Sequence, residues 1–155
     1  MHKKVAYYVQ LMKRNRTNTN AFLIHISALA GLIFPFCQII TPLIAWQTFK
    51  ERSPFLDAHG KEVVNFTISY TLYVCFLSIF IGGHTVGNFY KNRIRWNGFE
   101  EMTFRLNLEN VFSFLNIGTL AGMVYLIGIA LVIIAASKAK EGENYAYPFT
   151  LKFIK

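Results

Sequence analysis

The sequence predicts an all-α integral membrane protein: a single membrane domain over residues 1–155 with three transmembrane helices, an amphipathic interfacial insert and an extended C-terminal tail. Two observations carry this. Of the 155 residues, 54% are hydrophobic and fifteen are phenylalanine, with a mean hydropathy of +0.34, which is too apolar for an ordinary soluble domain. The apolar residues also fall in three blocks with few charges, Ala21–Trp46, Val63–Gly83 and Val111–Ala136. Each is long enough to cross a hydrocarbon core, which takes about 20 helical residues.

The first helix is expected at about 21–47, led by Lys3, Lys4, Lys13, Arg14 and Arg16. A basic lead before an apolar run also marks a signal peptide, but this run exceeds the usual length and contains Pro35, Gln38 and Pro42, so a retained helix is the better reading. Pro35 should kink it by removing a backbone donor. Cys37 and Cys75 fall inside apolar helices, where a thiol behaves as a small apolar group, and imply neither a disulfide framework nor a metal site.

The second helix, 54–83, opens on Ser53-Pro54, a start signal in which serine caps free amides and proline is preorganised for the first turn. Its first turns carry the polar stretch "SPFLDAHGKEVVNF". Asp57 and Lys61 stand i, i+4 and can pair. His59 and Glu62 stand i, i+3, a spacing that can hold a metal, but no second histidine is near, so a polar cap or a docking site is expected and no metal. Deeper, Glu62, Asn65, Ser69 and Tyr73 share one face, and Gln38 lies on a comparable face of the first helix. Helix packing explains such stripes, and a polar path for a solute is the other reading.

Between 84 and 108, aromatics including Trp96 interleave with Lys91, Arg93, Arg95 and Arg105, and Asn97-Gly98 is a turn signal, so an interface-lying insert is expected there. The third helix, 109–137, contains Gly118 and Gly122 in a small-xxx-small pattern that suggests a close helix crossing. In the tail, 138–155, Tyr145, Tyr147, Phe149, Leu151 and Phe153 alternate with other residues, the period-2 pattern of an extended segment. Three spans would bring this tail to the same side as the polar stretch, so Tyr147 and Lys152 are expected to dock on Asp57, His59, Lys61 and Glu62.

The net charge of +8 is spread over four segments and suits anionic lipid headgroups better than nucleic acid. With three spans, nine basic residues face seven across the membrane, which leans toward a cytoplasmic N-terminus. No nucleophilic triad, catalytic residue or cofactor motif is evident.

"HISALAGLIFPFCQIITPLIAW", "SPFLDAHGKEVVNFTIS" and "GENYAYPFTLKFIK" resemble, in that order, the signature segments of a bacterial family of small membrane proteins of unknown function. That family is distantly related to the twenty-kilodalton membrane subunit of the chloroplast inner-envelope protein-import translocon. A few relatives are magnetosome-membrane proteins linked to magnetite crystal growth. The most family-typical residues are Ser53, Pro54, Asp57, His59, Gly60, Lys61, Glu62, Asn65, Tyr147, Pro148 and Lys152. The 84–108 insert departs from the short link usual in the family. The resemblance implies a non-enzymatic protein of the bacterial inner membrane, a subunit or accessory factor of a larger complex, with protein translocation as one setting. Lipid and other membrane subunits are the expected partners. A homo-oligomeric channel or carrier using Gln38, Asn65, Ser69 and Tyr73 is the alternative.

Overall fold

A computed structural model describes residues 2–34, 36–94 and 108–155, with side chains outside 84–94 and 108–117. The elements are α1 (His2–Ile26), a 3₁₀ segment (Ser27–Leu32), α2 (Cys37–Phe49), a 3₁₀ turn (Lys50–Arg52), α3 (Pro54–Ile94) and α4 (Leu108–Glu141). The chain divides into two compact units, Met1–Thr71 with Ile127–Lys155, and Leu72–Leu126. Both α3 and α4 are shared between them.

The expected first transmembrane helix is not a single helix. The apolar block splits into the end of α1, the 3₁₀ segment and α2, and α2 packs back on the segment before it. Three features of the sequence cause the break. Pro35 has no amide to continue a helix. Small residues at Ala28, Ala30 and Gly31 let the returning α2 approach closely, so that a Cβ built on Gly31 would lie 2.6 Å from that of Gln38. Thr41 Oγ1 then donates to the Ser27 carbonyl at 2.6 Å, holding the two arms together. At 13 residues, α2 is only about 20 Å long, short of a ~30 Å core. The helical start at His2 also extends α1 through the polar, exposed N-terminal segment.

Among the described residues, two helical stretches are long and apolar enough to cross a membrane, Pro54–Gly83 in α3 and Gly118–Glu141 in α4. Ser53 starts α3 as expected: it is extended, its Oγ accepts from the Phe55 amide at 3.3 Å, and its carbonyl accepts from Leu56 and Asp57. α3 does not stop at Gly83. It runs to Ile94, so the first part of the expected insert, with Lys91 and Arg93, is continuous helix, while Arg95 and Trp96 lie outside the described residues.

α4 also ends later than expected, at Glu141. Its C-terminus is a Schellman cap: Gly142 at φ +84° donates to Ala139 O at 3.1 Å and Glu143 donates to Lys138 O at 3.0 Å. A side chain at Gly142 would also meet the Asn18 amide of α1. The tail is extended but forms no strand, because Pro148 and Phe149 make a turn, with Phe149 at φ +58°. The aromatic alternation breaks there: Tyr147 is buried and Phe149 is 89% exposed.

The core of the first unit joins Ala21 and Ile24 of α1, Trp46 of α2, Leu56, Val63, Val64 and Phe66 of α3, Val132, Ala135 and Ala139 of α4, and Tyr147 of the tail. Gly118 and Gly122 of the small-xxx-small pattern belong to the second unit. Nothing among the described residues lies within 4 Å of a Cβ built on Gly118 or Gly122. On Gly128 a Cβ would sit 2.8 Å from the Tyr70 ring, and on Gly60 it would overlap the Trp46 indole. In the second unit Phe76, Ile79 and Phe80 each leave about three quarters of their surface open, an exposed apolar band.

Candidate functional site

Three buried side chains from three distant segments meet in a line. Tyr147 OH lies 2.8 Å from His25 Nδ1. His25 Nε2 lies 2.8 Å from His59 Nδ1. His25 has no exposed surface, and His59 and Tyr147 are buried as well. α1 supplies His25 at the centre, the second turn of α3 supplies His59 on one ring nitrogen, and the tail brings Tyr147 to the other, stacked on Phe66 with ring centroids 4.0 Å apart. Phe55 closes the other flank of His59.

Proton counting sets the direction of this chain. A neutral imidazole carries one N–H. If Tyr147 donates to His25 Nδ1, then His25 donates from Nε2 to His59 Nδ1, and His59 carries its proton on Nε2. The reverse order would leave the buried Tyr147 hydroxyl without an acceptor as well as His59 Nε2 without a partner. The forward order leaves one orphan, His59 Nε2, which has no hydrogen-bond partner among the described residues. Burial, with His59 beside it, holds the His25 imidazole down to about 3, and burial raises the Tyr147 phenol well above its ordinary range. At neutral pH the line is therefore uncharged.

The polar face of α3 grips the tail from one side. Asn65 Nδ2 donates to the Ile154 carbonyl at 2.9 Å, while Asn65 Oδ1 accepts from the Phe153 and Ile154 amides at 3.1 and 2.9 Å. The Leu151 amide donates to Ser69 Oγ at 2.9 Å, and Ser69 in turn donates to the Asn65 carbonyl at 2.7 Å. Buried backbone needs partners for its amides and carbonyls, and these two side chains supply them to the tail. On the facing hairpin, Gln38 Nε2 donates to Thr71 Oγ1 at 2.8 Å. Tyr73 falls in the second unit.

A cavity of about 390 Å³ opens between the first turns of α3 and the tail, lined among others by His59, Lys61, Glu62, Asn65, Lys152 and Lys155. It unites four of the residues expected at the docking face, His59, Lys61, Glu62 and Lys152. Tyr147 sits deeper, on His25. Asp57 points elsewhere: its Oδ1 accepts from Trp46 Nε1 at 2.8 Å and its Oδ2 pairs with Lys61 at 2.8 Å, so it ties α3 to α2 rather than to the tail. Two residues apart on a helix means about 200° of rotation, so Asp57 and His59 cannot face one partner.

His25 was not among the expected site residues, although an ionisable residue inside an apolar block is a signal by itself. Trp46, Gly60 and Gly128 carried no such signal, because their roles depend on what faces them. Among the described residues no group of three or more histidine, cysteine, aspartate or glutamate side chains is arranged to hold a metal.

Residues 16–154 match the model of the magnetosome magnetite crystal formation protein family. That match carries a bacterial membrane-protein family and no link to the chloroplast translocon subunit. No curated protein and no solved structure matches the chain.

Proposed function

The chain belongs to the magnetosome magnetite crystal formation protein family, and we propose from that premise that it is a non-enzymatic, multi-pass protein of the bacterial inner membrane. In this reading it acts as an accessory subunit of a membrane assembly and contributes to crystal formation through contacts at the membrane surface. One observation carries the choice of a scaffold over a conduit. The intramembrane polar groups Asn65 and Ser69 are engaged with the chain's own tail, and Gln38 with Thr71, which takes from a solute path the groups that would line it. Protein translocation rests on the chloroplast resemblance alone, and the family match lends it nothing.

The topology in this reading has two crossings, α3 and α4, with the α1–α2 hairpin entering and leaving on one side. Twelve lysines and arginines then flank the spans on the side of the N-terminus and tail, against four between the spans. The positive-inside rule makes the larger side cytoplasmic, a firmer assignment than nine against seven.

Extraction in mild detergent followed by native-gel mass tests the assembly, and reconstitution into liposomes tests for conduction. Co-migration with other membrane proteins, without solute flux, is the expected outcome. A pure homo-oligomer that conducts ions would overturn the scaffold reading. In a magnetite-forming host, deletion of this chain should alter crystal size by electron microscopy, and unchanged crystals would remove the crystal-formation role.

A further inference from the structure

We infer that the cavity between α3 and the tail is a binding site for a phosphate-bearing ligand of headgroup size. The cavity measures about 390 Å³, enough for a glycerophosphate-sized group. Three of its walls are cationic, Lys61, Lys152 and Lys155, and one is anionic, Glu62. Lys61 shares its charge with Asp57 at 2.8 Å. Lys152, Lys155 and Glu62 make no ion pair among the described residues, so two lysines against one glutamate leave the space with an excess of positive charge.

His59 also lines the cavity, but its Nε2 is enclosed among protein atoms, so recognition of an anion falls to the lysines. The cavity lies beside the first turns of the Pro54–Gly83 stretch, at the depth where lipid phosphates sit if that stretch crosses the membrane. A free phosphomonoester offers the same chemistry from solution. This inference stands on the cavity itself and does not depend on a role in crystal formation.

The test uses the full chain in neutral maltoside micelles, with thermal shift as the readout and three probes: inorganic phosphate, glycerol phosphate, and phosphatidylglycerol doped into the micelle. At least one phosphate probe should raise the melting temperature saturably. The Lys152→Gln/Lys155→Gln double variant should weaken its apparent affinity about tenfold, the size of a lost charge-assisted hydrogen bond. Glu62→Gln, which removes the repelling carboxylate, should strengthen it. Both changes lie on the cavity rim, so unliganded melting should stay near that of the parent and report folding separately. A response to phosphatidylglycerol alone identifies a lipid headgroup, and a response to the soluble probes identifies free phosphate. No shift with any phosphate probe overturns the site. So does the opposite sign pattern, in which manganese stabilises the parent, Glu62→Gln abolishes the effect and the lysine variant strengthens it.

Discussion

Replacing Asn65 with alanine tests whether the tail is held by side chains acting as a substitute strand. The change removes one donor and one acceptor and strands three backbone groups, the Ile154 carbonyl and the Phe153 and Ile154 amides. At about 1 kcal/mol net per hydrogen bond, tail docking weakens by about 3 kcal/mol, a shift of roughly a hundredfold in the docked-to-open ratio. The assay is maleimide labelling of a single cysteine at Thr150, whose Oγ1 is buried, in a background lacking Cys37 and Cys75. While opening and reclosing outpace the reagent, the labelling rate follows the open population, so it should rise by the same factor. Ser69→Ala, which loses the bond from Leu151, should raise it only about fivefold. If Asn65→Ala labels at the parent rate, the side-chain clamp does not hold the tail and the reasoning fails.

Gly128→Leu should lower the melting temperature in detergent, by the equivalent of about 1–3 kcal/mol, because the new side chain meets the Tyr70 ring, whereas Gly122→Leu should leave it unchanged. Gly60→Ala should displace Trp46 from Asp57, read as a shift in tryptophan emission together with a lower melting temperature. Acid should destabilise the fold through His25. Its folded-state value of about 3 lies below the ordinary 6.5, so the unfolded chain binds the proton first. Stability is then complete above pH 6.5 and declines as pH falls toward 3, and His25→Gln should flatten that slope in melting curves. Nitrogen-15 NMR of the His59 ring should find its proton on Nε2, and a proton on Nδ1 would reverse the direction of the hydrogen-bonded line.

The sequence was most informative where one local rule decides the outcome. Ser53-Pro54 marked the start of α3 because capping acts within three residues, and the face shared by Asn65 and Ser69 was visible because helical spacing puts both on one side. The Ala21–Trp46 block misled because twenty-six largely apolar residues satisfy the length test equally as one crossing or as two arms of a hairpin. The deciding contacts, Gly31 against Gln38 and Thr41 on Ser27, are tertiary. Two other glycine roles were hidden for a similar reason. Gly118 and Gly122 match the crossing pattern, yet the rings that demand glycine face positions 60 and 128. Docking of the tail was expected from a three-span count. The tail does lie against α3, but the chain reaches that arrangement with a returning hairpin and two candidate spans.

The bond between His25 and Tyr147 joins residues 122 positions apart. A ribosome adding about 5–20 residues per second needs roughly 6 to 24 seconds between making the first and making the second. Until Tyr147 is made, His25 and His59 have no phenol to complete their line, and Asn65 and Ser69 have no tail to hold, so these polar groups of the first unit wait for partners supplied late in synthesis. A chain that stops short of Tyr147 would leave them all unsatisfied at once, and the buried face they form would stay open.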